Sequence, residues 1–234
     1  PDCTKPIHPR MQMLPMRHPT RLLLLLLLSC SCKGSEGKKL PPENTLLDSP
    51  AADAILPDTI VDACYSFEEA VAGTNAPNEV IDQLVLLDVP YLSVDGWIHK
   101  GQILCNKKIT KEIGELFTLM LKDGFVIEKV VPIVRYGWND SLSMADNNSY
   151  SFCYRDISYS QHANGMAIDI NPRFNPLRWK KEDRPSQPAG AVSDTTVNGT
   201  LYPGHPVVKA FAEKGFRWGH NFSRYYDDHH FEKR

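Results

Sequence analysis

Ser160-Gln161-His162-Ala163-Asn164-Gly165-Met166-Ala167-Ile168-Asp169 ends in an apolar run that predicts a strand over residues 166–170. The two-residue period of a strand turns Met166, Ile168 and Ile170 toward a core and leaves Ala167 and Asp169 facing a cleft. Ser160 and His162 share a face in the preceding segment. Gly165 permits the tight turn that brings His162 and Asp169 to one point. An imidazole and a carboxylate beside small side chains are two of the three protein ligands that a catalytic zinc ion uses, its fourth position being left for water. The third ligand must come from elsewhere, and Asp227-Asp228-His229-His230-Phe231-Glu232 offers it. His229 and His230 are adjacent, so in an extended segment they point to opposite faces and one of them binds.

Working outward, residues 84–92 and 98–105 read as strands joined through a turn at Asp95-Gly96. Ile109, Ile113, Leu116, Phe117 and Met120 then fall on one face of a helix, with Gly124 as its stop. Residues 126–134 read as a β-branched strand and residues 138–150 as a polar loop. Pro206 opens a short helix over residues 206–214, closed by Gly215. Residues 171–203, dominated by Pro, charged and small residues, are expected to form a long surface loop. The fold class is α+β: a single domain over residues 81–234, with helices packed on a largely antiparallel sheet and a zinc site in its cleft.

Arg17, His18 and Arg21 precede seven leucines at residues 22–28 and then Ser29-Cys30-Ser31-Cys32, the pattern of a secretion signal over residues 1–32. As a helix seven leucines rise only about 10 Å, too little for a bilayer core of about 30 Å. Residues before Met16 lack signal character and read as an over-extended start. Residues 33–80, rich in Ser, Pro, Asp and Ala, read as a tether or lead-in. Six cysteines without a C-x-x-C pair predict no disulfide framework. A formal net charge of -2 marks no nucleic-acid binder. Oligomeric state is not legible.

The pattern S-x-H-x-x-G-x-A-x-D, followed late in the chain by D-x-x-H-F-E, resembles the zinc D-alanyl-D-alanine carboxypeptidase family, which includes the VanX and VanY types and the L-alanyl-D-glutamate endopeptidases. SMADNNSYSFCYR at residues 143–155 and VVKAFAEKGFRW at residues 207–218 resemble its endopeptidase-related branch. The resemblance implies zinc held by His162, Asp169 and His230, Asp227 as general base, and Arg155 gripping a substrate carboxylate with Ser160 beside it. Many relatives carry glutamate at the Asp227 position, and Asp228 competes because a flat strand would put it on the face of His230. His229 is expected to face solvent or to stand behind the ligands. Leu27-Leu28-Ser29-Cys30 resembles the bacterial lipobox, which implies acylation at Cys30, with Cys32 as fallback, and a lipid-anchored place in the bacterial cell envelope. The implied reaction is hydrolysis of peptidoglycan stem peptides by metal-activated water. A related fold and zinc site in the vertebrate hedgehog signalling domain raise the alternative of a non-catalytic zinc-containing lipoprotein that binds cell-wall peptides. A suitable Asp227 argues for the enzyme.

Overall fold

The computed structural model describes residues 59–157 and 159–234, so the signal, the lipobox and Cys30 lie outside the described residues. Ordered elements precede the expected domain start at residue 81. They are β1 (Ile60–Val61), α1 (Phe67–Ala70), capped reciprocally by Ser66 and Glu69, and α2 (Asn78–Ile81). Cys64 is disulfide-bonded, which the cysteine spacing does not predict, and Cys105 and Cys153 are free and buried.

β2 (Leu84–Leu92) and β3 (Ile98–Asn106) form the longest antiparallel pair, in register from Leu84↔Asn106 to Leu92↔Ile98, and β1 adds to β3 in parallel. α3 (Thr110–Lys122) buries Ile113, Leu116, Phe117 and Met120, the face read from the sequence. These side chains share one core with Val89, Ile103, Ile168, Phe211 and Phe231. Burying each such side chain contributes about 1.5–3 kcal/mol.

The expected strand at 126–134 shrinks to β4 (Lys129–Val130), which pairs in parallel with β5 (Asn148–Ser149). Its apolar pattern reflects burial, with Ile127, Val130, Val131 and Ile133 all inside. Pro132 has no N–H to give a ladder, and Ile133–Tyr136 closes a 3-10 turn behind it. Asparagine side chains stand in for the missing neighbour strand. Asn148 bonds both the N–H and the C=O of Val131, Asn171 serves Glu128 N–H and Val126 C=O, and Asn198 accepts from Val126 N–H. The expected loop at 138–150 contains α4 (Asp140–Ala145), started by the Asn139 side chain accepting from Leu142 N–H.

β6 (Ala167–Asp169) follows, with Ile168 in the core as its period requires. The expected loop at 171–203 includes β7 (Leu177–Trp179) and sends Leu201 into the core. α5 (Pro206–Glu213) opens on proline and stops before Gly215. The chain ends in β8 (Arg217–Trp218), β9 (Tyr225–Asp227) and β10 (His230–Glu232). The α+β class holds, but among the described residues its largely antiparallel strands divide among four small sheets, of which β6-β10-β8 carries the site.

Candidate metal centre and substrate cleft

Asp169 on β6 lies opposite His230 on β10 in antiparallel register, so both side chains leave the same face of the sheet. His162 comes from the 3-10 turn Gln161–Asn164, which Gly165 closes at φ +64°. A Cβ at Gly165 would lie 2.9 Å from the Asn106 backbone nitrogen, so glycine is needed there for space as well as conformation.

His162 Nε2, Asp169 Oδ1 and His230 Nδ1 form a nearly equilateral triangle with sides of 3.1, 3.0 and 3.0 Å. All three residues are buried. Ligands about 2.0–2.1 Å from a tetrahedral ion stand about 3.3 Å apart, so the triangle fits a small cation with little adjustment. The donor chemistry fits as well. His162 Nδ1 donates to Ser151 O at 2.6 Å, which leaves the Nε2 lone pair pointing into the triangle. His230 Nε2 faces Glu232 Oε2 at 3.4 Å, which likewise leaves Nδ1 inward.

Electrostatics keep the cluster ready for a cation. Burial alone would raise the Asp169 carboxyl, but the facing His162 and His229 imidazoles and the hydrogen bonds from His162 and His230 hold it well below the usual range. Burial likewise opposes charge on His230, yet its hydrogen bonds to Asp169 and Glu232 prevail and push it up to about 10. A cation binding here competes with that proton.

The paired acids ahead of His230 separate cleanly. Asp227, at the end of β9, lines the cleft; its Oδ1 stands 2.9 Å from His229 Nε2 but out of line for a hydrogen bond. Asp228 turns away. Its carboxylate takes Arg178 Nη2 at 2.6 Å and His220 Nδ1 at 2.7 Å and is fully engaged in packing the turn. The period-two argument that made it a competitor fails because residues 228–229 are a turn between β9 and β10. His229 does not face solvent. It is buried behind the triangle, its Nδ1 donates to Asn175 O, and the Asp227 and Asp169 carboxylates outweigh its burial to push it up to about 9.

Arg155 and Ser160 both line the same cavity, of about 460 Å³. Arg155 donates from Nη2 to Asp140 Oδ2 at 3.1 Å and reaches the Tyr150 hydroxyl at 3.5 Å. Tyr150 in turn hydrogen-bonds Asp140 and stacks on the His162 ring at 5.2 Å and 27°. Arg155 is thereby tied through Tyr150 to His162. Sequence reading missed Asp140 and Tyr150 because both fell in the presumed loop; the Asn139 cap was the available signal. Glu232 was in plain view beside His230 and its contact required the fold. His220 stacks on Trp218 at 4.4 Å and does not reach the triangle.

Fold and site define an α+β protein with a three-residue centre able to hold a metal, set in a cleft with a carboxylate and an arginine. Residues 155–233 match the model of the D-alanyl-D-alanine carboxypeptidase family, the peptidase family that the two motifs resemble. No curated protein and no solved structure gives a significant match to the chain.

Proposed function

We propose that this chain is a zinc peptidase of the bacterial cell envelope that hydrolyses peptidoglycan stem peptides. The observation that carries the reading is the inward-facing triangle of His162, Asp169 and His230 with the Asp227 carboxylate lining the same cleft. A bound zinc ion would polarise the scissile carbonyl and make water acidic enough to attack near neutral pH. Asp227 accepts the proton of the attacking water and returns it to the leaving amine. Its place on the wall of the same cleft supports that role. His229 stands behind Asp227 and holds its carboxylate toward the cleft. Arg155, braced by Asp140, binds a substrate carboxylate through the guanidinium edge left free, and Ser160 borders that pocket.

A non-catalytic peptide-binding lipoprotein would have no use for a proton acceptor lining the same cleft. The envelope address and acylation at Cys30 rest on the sequence; among the described residues no helix is long and apolar enough to cross a membrane.

Incubating zinc-loaded protein with purified muropeptides and scoring new amines tests hydrolysis and identifies the bond cut. His162→Ala, Asp169→Ala and His230→Ala should each lower zinc content, whereas Asp227→Ala should keep zinc and lose turnover. Unchanged muropeptides with fully loaded protein, or an active Asp227→Ala variant, would overturn the reading.

A further inference from the structure

The cleft carries cationic side chains on both sides of the triangle, and only Arg155 has so far been given work. Strand order fixes the sides on which they stand. Tyr150 bridges Asp169, Asp169 pairs with His230, and β8 flanks β10 through Phe231↔Trp218 and Glu232↔Arg217. Arg155 reaches the Tyr150 hydroxyl at one edge and Arg217 leaves the other. Three strand spacings separate these two backbone edges, with the triangle between them.

Glu232 lies two residues beyond His230 on β10, so its side chain rises from the ligand face. Arg217 Nη1 at 3.7 Å and Arg234 Nη2 at 3.4 Å both reach its Oε1, while its Oε2 faces His230. Two guanidinium groups therefore share one buried carboxylate, which leaves a positive charge over at this edge. Arg217 rests over the Phe222 ring at 4.6 Å, which limits its freedom. Arg224, on the same rim, shares Glu182 with Arg184, each at 3.1 Å, and stays off the Glu232 carboxylate. Arg217, Arg234 and Glu232 all line the cleft.

We infer that Arg217 and Arg234 form a second carboxylate subsite, on the side of the scissile bond opposite to Arg155. The inference rests on the peptidase reading above and names its substrate class: a peptide diacid with one carboxylate on each side of the scissile bond. A stem peptide ending in D-alanyl-D-alanine meets this requirement, with its terminal carboxylate on Arg155 and the α-carboxylate of D-glutamate, three residues back from the terminus, on Arg217 and Arg234. Cleavage between L-alanine and D-glutamate does not, because the alanine side offers no carboxylate.

The probes are L-Ala-γ-D-Glu-L-Lys-D-Ala-D-Ala and its analogue with the D-glutamate α-carboxylate converted to a carboxamide, each also made with N-methylated amides at the two candidate bonds. Calorimetric titration of the zinc-loaded full chain with the N-methylated pair measures binding apart from turnover. The acid should bind about five- to tenfold more tightly than the amide, a preference that shrinks at high salt. In Arg217→Gln and in Arg234→Gln the ratio should fall, and in the double variant it should approach one. Equal binding of acid and amide by wild type, or a preference that persists in the double variant, would overturn the subsite. Cleavable peptides that yield no new amine would count against the peptidase reading alone, and L-alanine release in place of D-alanine would overturn the proposed orientation.

Discussion

Arg155 gains its direction from two neighbours, Asp140 and Tyr150, and a lysine could not copy its forked contact. Losing a charged hydrogen-bond partner in a partly dry cleft costs about 2–4 kcal/mol, so Arg155→Lys should lower kcat/KM by about tens- to several hundredfold with zinc content unchanged. Asp140→Asn should act through the same group, raising KM about tenfold with little change in kcat, and should add little on top of Arg155→Lys. Additive losses in steady-state kinetics would show that Asp140 works independently. His230 sets a pH dependence. Its proton, favoured up to about pH 10 by Asp169 and Glu232, must leave before zinc can bind. Zinc affinity should therefore rise with pH between about 6 and 8, by up to tenfold per unit for each proton displaced. Calorimetry in buffers of different ionisation enthalpy would read that release directly.

Among the elements, the turn joining β9 to β10 is held most tightly at Gly219. A Cβ there would come 2.6 Å from Asp227 O and 3.1 Å from His230 Cβ. Gly219→Ala must shift Asp227, His230 or both, and should cost activity at least tenfold while the fold survives, as circular dichroism and zinc content can check. On the β2–β3 hairpin, His99 sits between Asp62 at 2.7 Å and Asp95 at 3.1 Å, with Tyr91 alongside and hydrogen-bonded to Asp62. Burial opposes its charge, but the two carboxylates prevail and raise its pKa. A raised pKa stabilises the fold fully below the unfolded value of about 6.5 and loses that contribution as pH rises through the folded one. His99→Gln should therefore lower Tm more at pH 6 than at pH 9. An equal loss at both pH values would mean that the imidazolium adds nothing.

For the molecule as a whole, the ligands come from residues 162, 169 and 230, so one ion would fasten together the 3-10 turn, β6 and β10. Binding that is restricted to the folded state stabilises by about 4 kcal/mol at a thousandfold excess over Kd. Chelation should then lower Tm by about 8–16 °C for a domain of this size, and added zinc should restore it. A melting curve indifferent to chelator would mean that the triangle binds no metal appreciably.

The α3 face, the long hairpin and the His162–Asp169 pair were legible in the sequence because each rests on local periodicity or on a few residues of spacing. Asp227 and Asp228 were not separable there, since the choice depends on a turn that breaks the strand period and on Arg178 arriving from β7 to claim Asp228. The apolar run at 126–134 read as a strand because burial and strand pairing leave the same pattern. Only the fold shows that asparagines from distant segments take the place of a partner strand. Sequence alone fixed which side chains could make a metal centre, because ligand chemistry belongs to residue types. Tertiary structure decided which acid faces the cleft and that Arg217 stands across the ligands from Arg155, because those relations arise from strands paired across long stretches of chain.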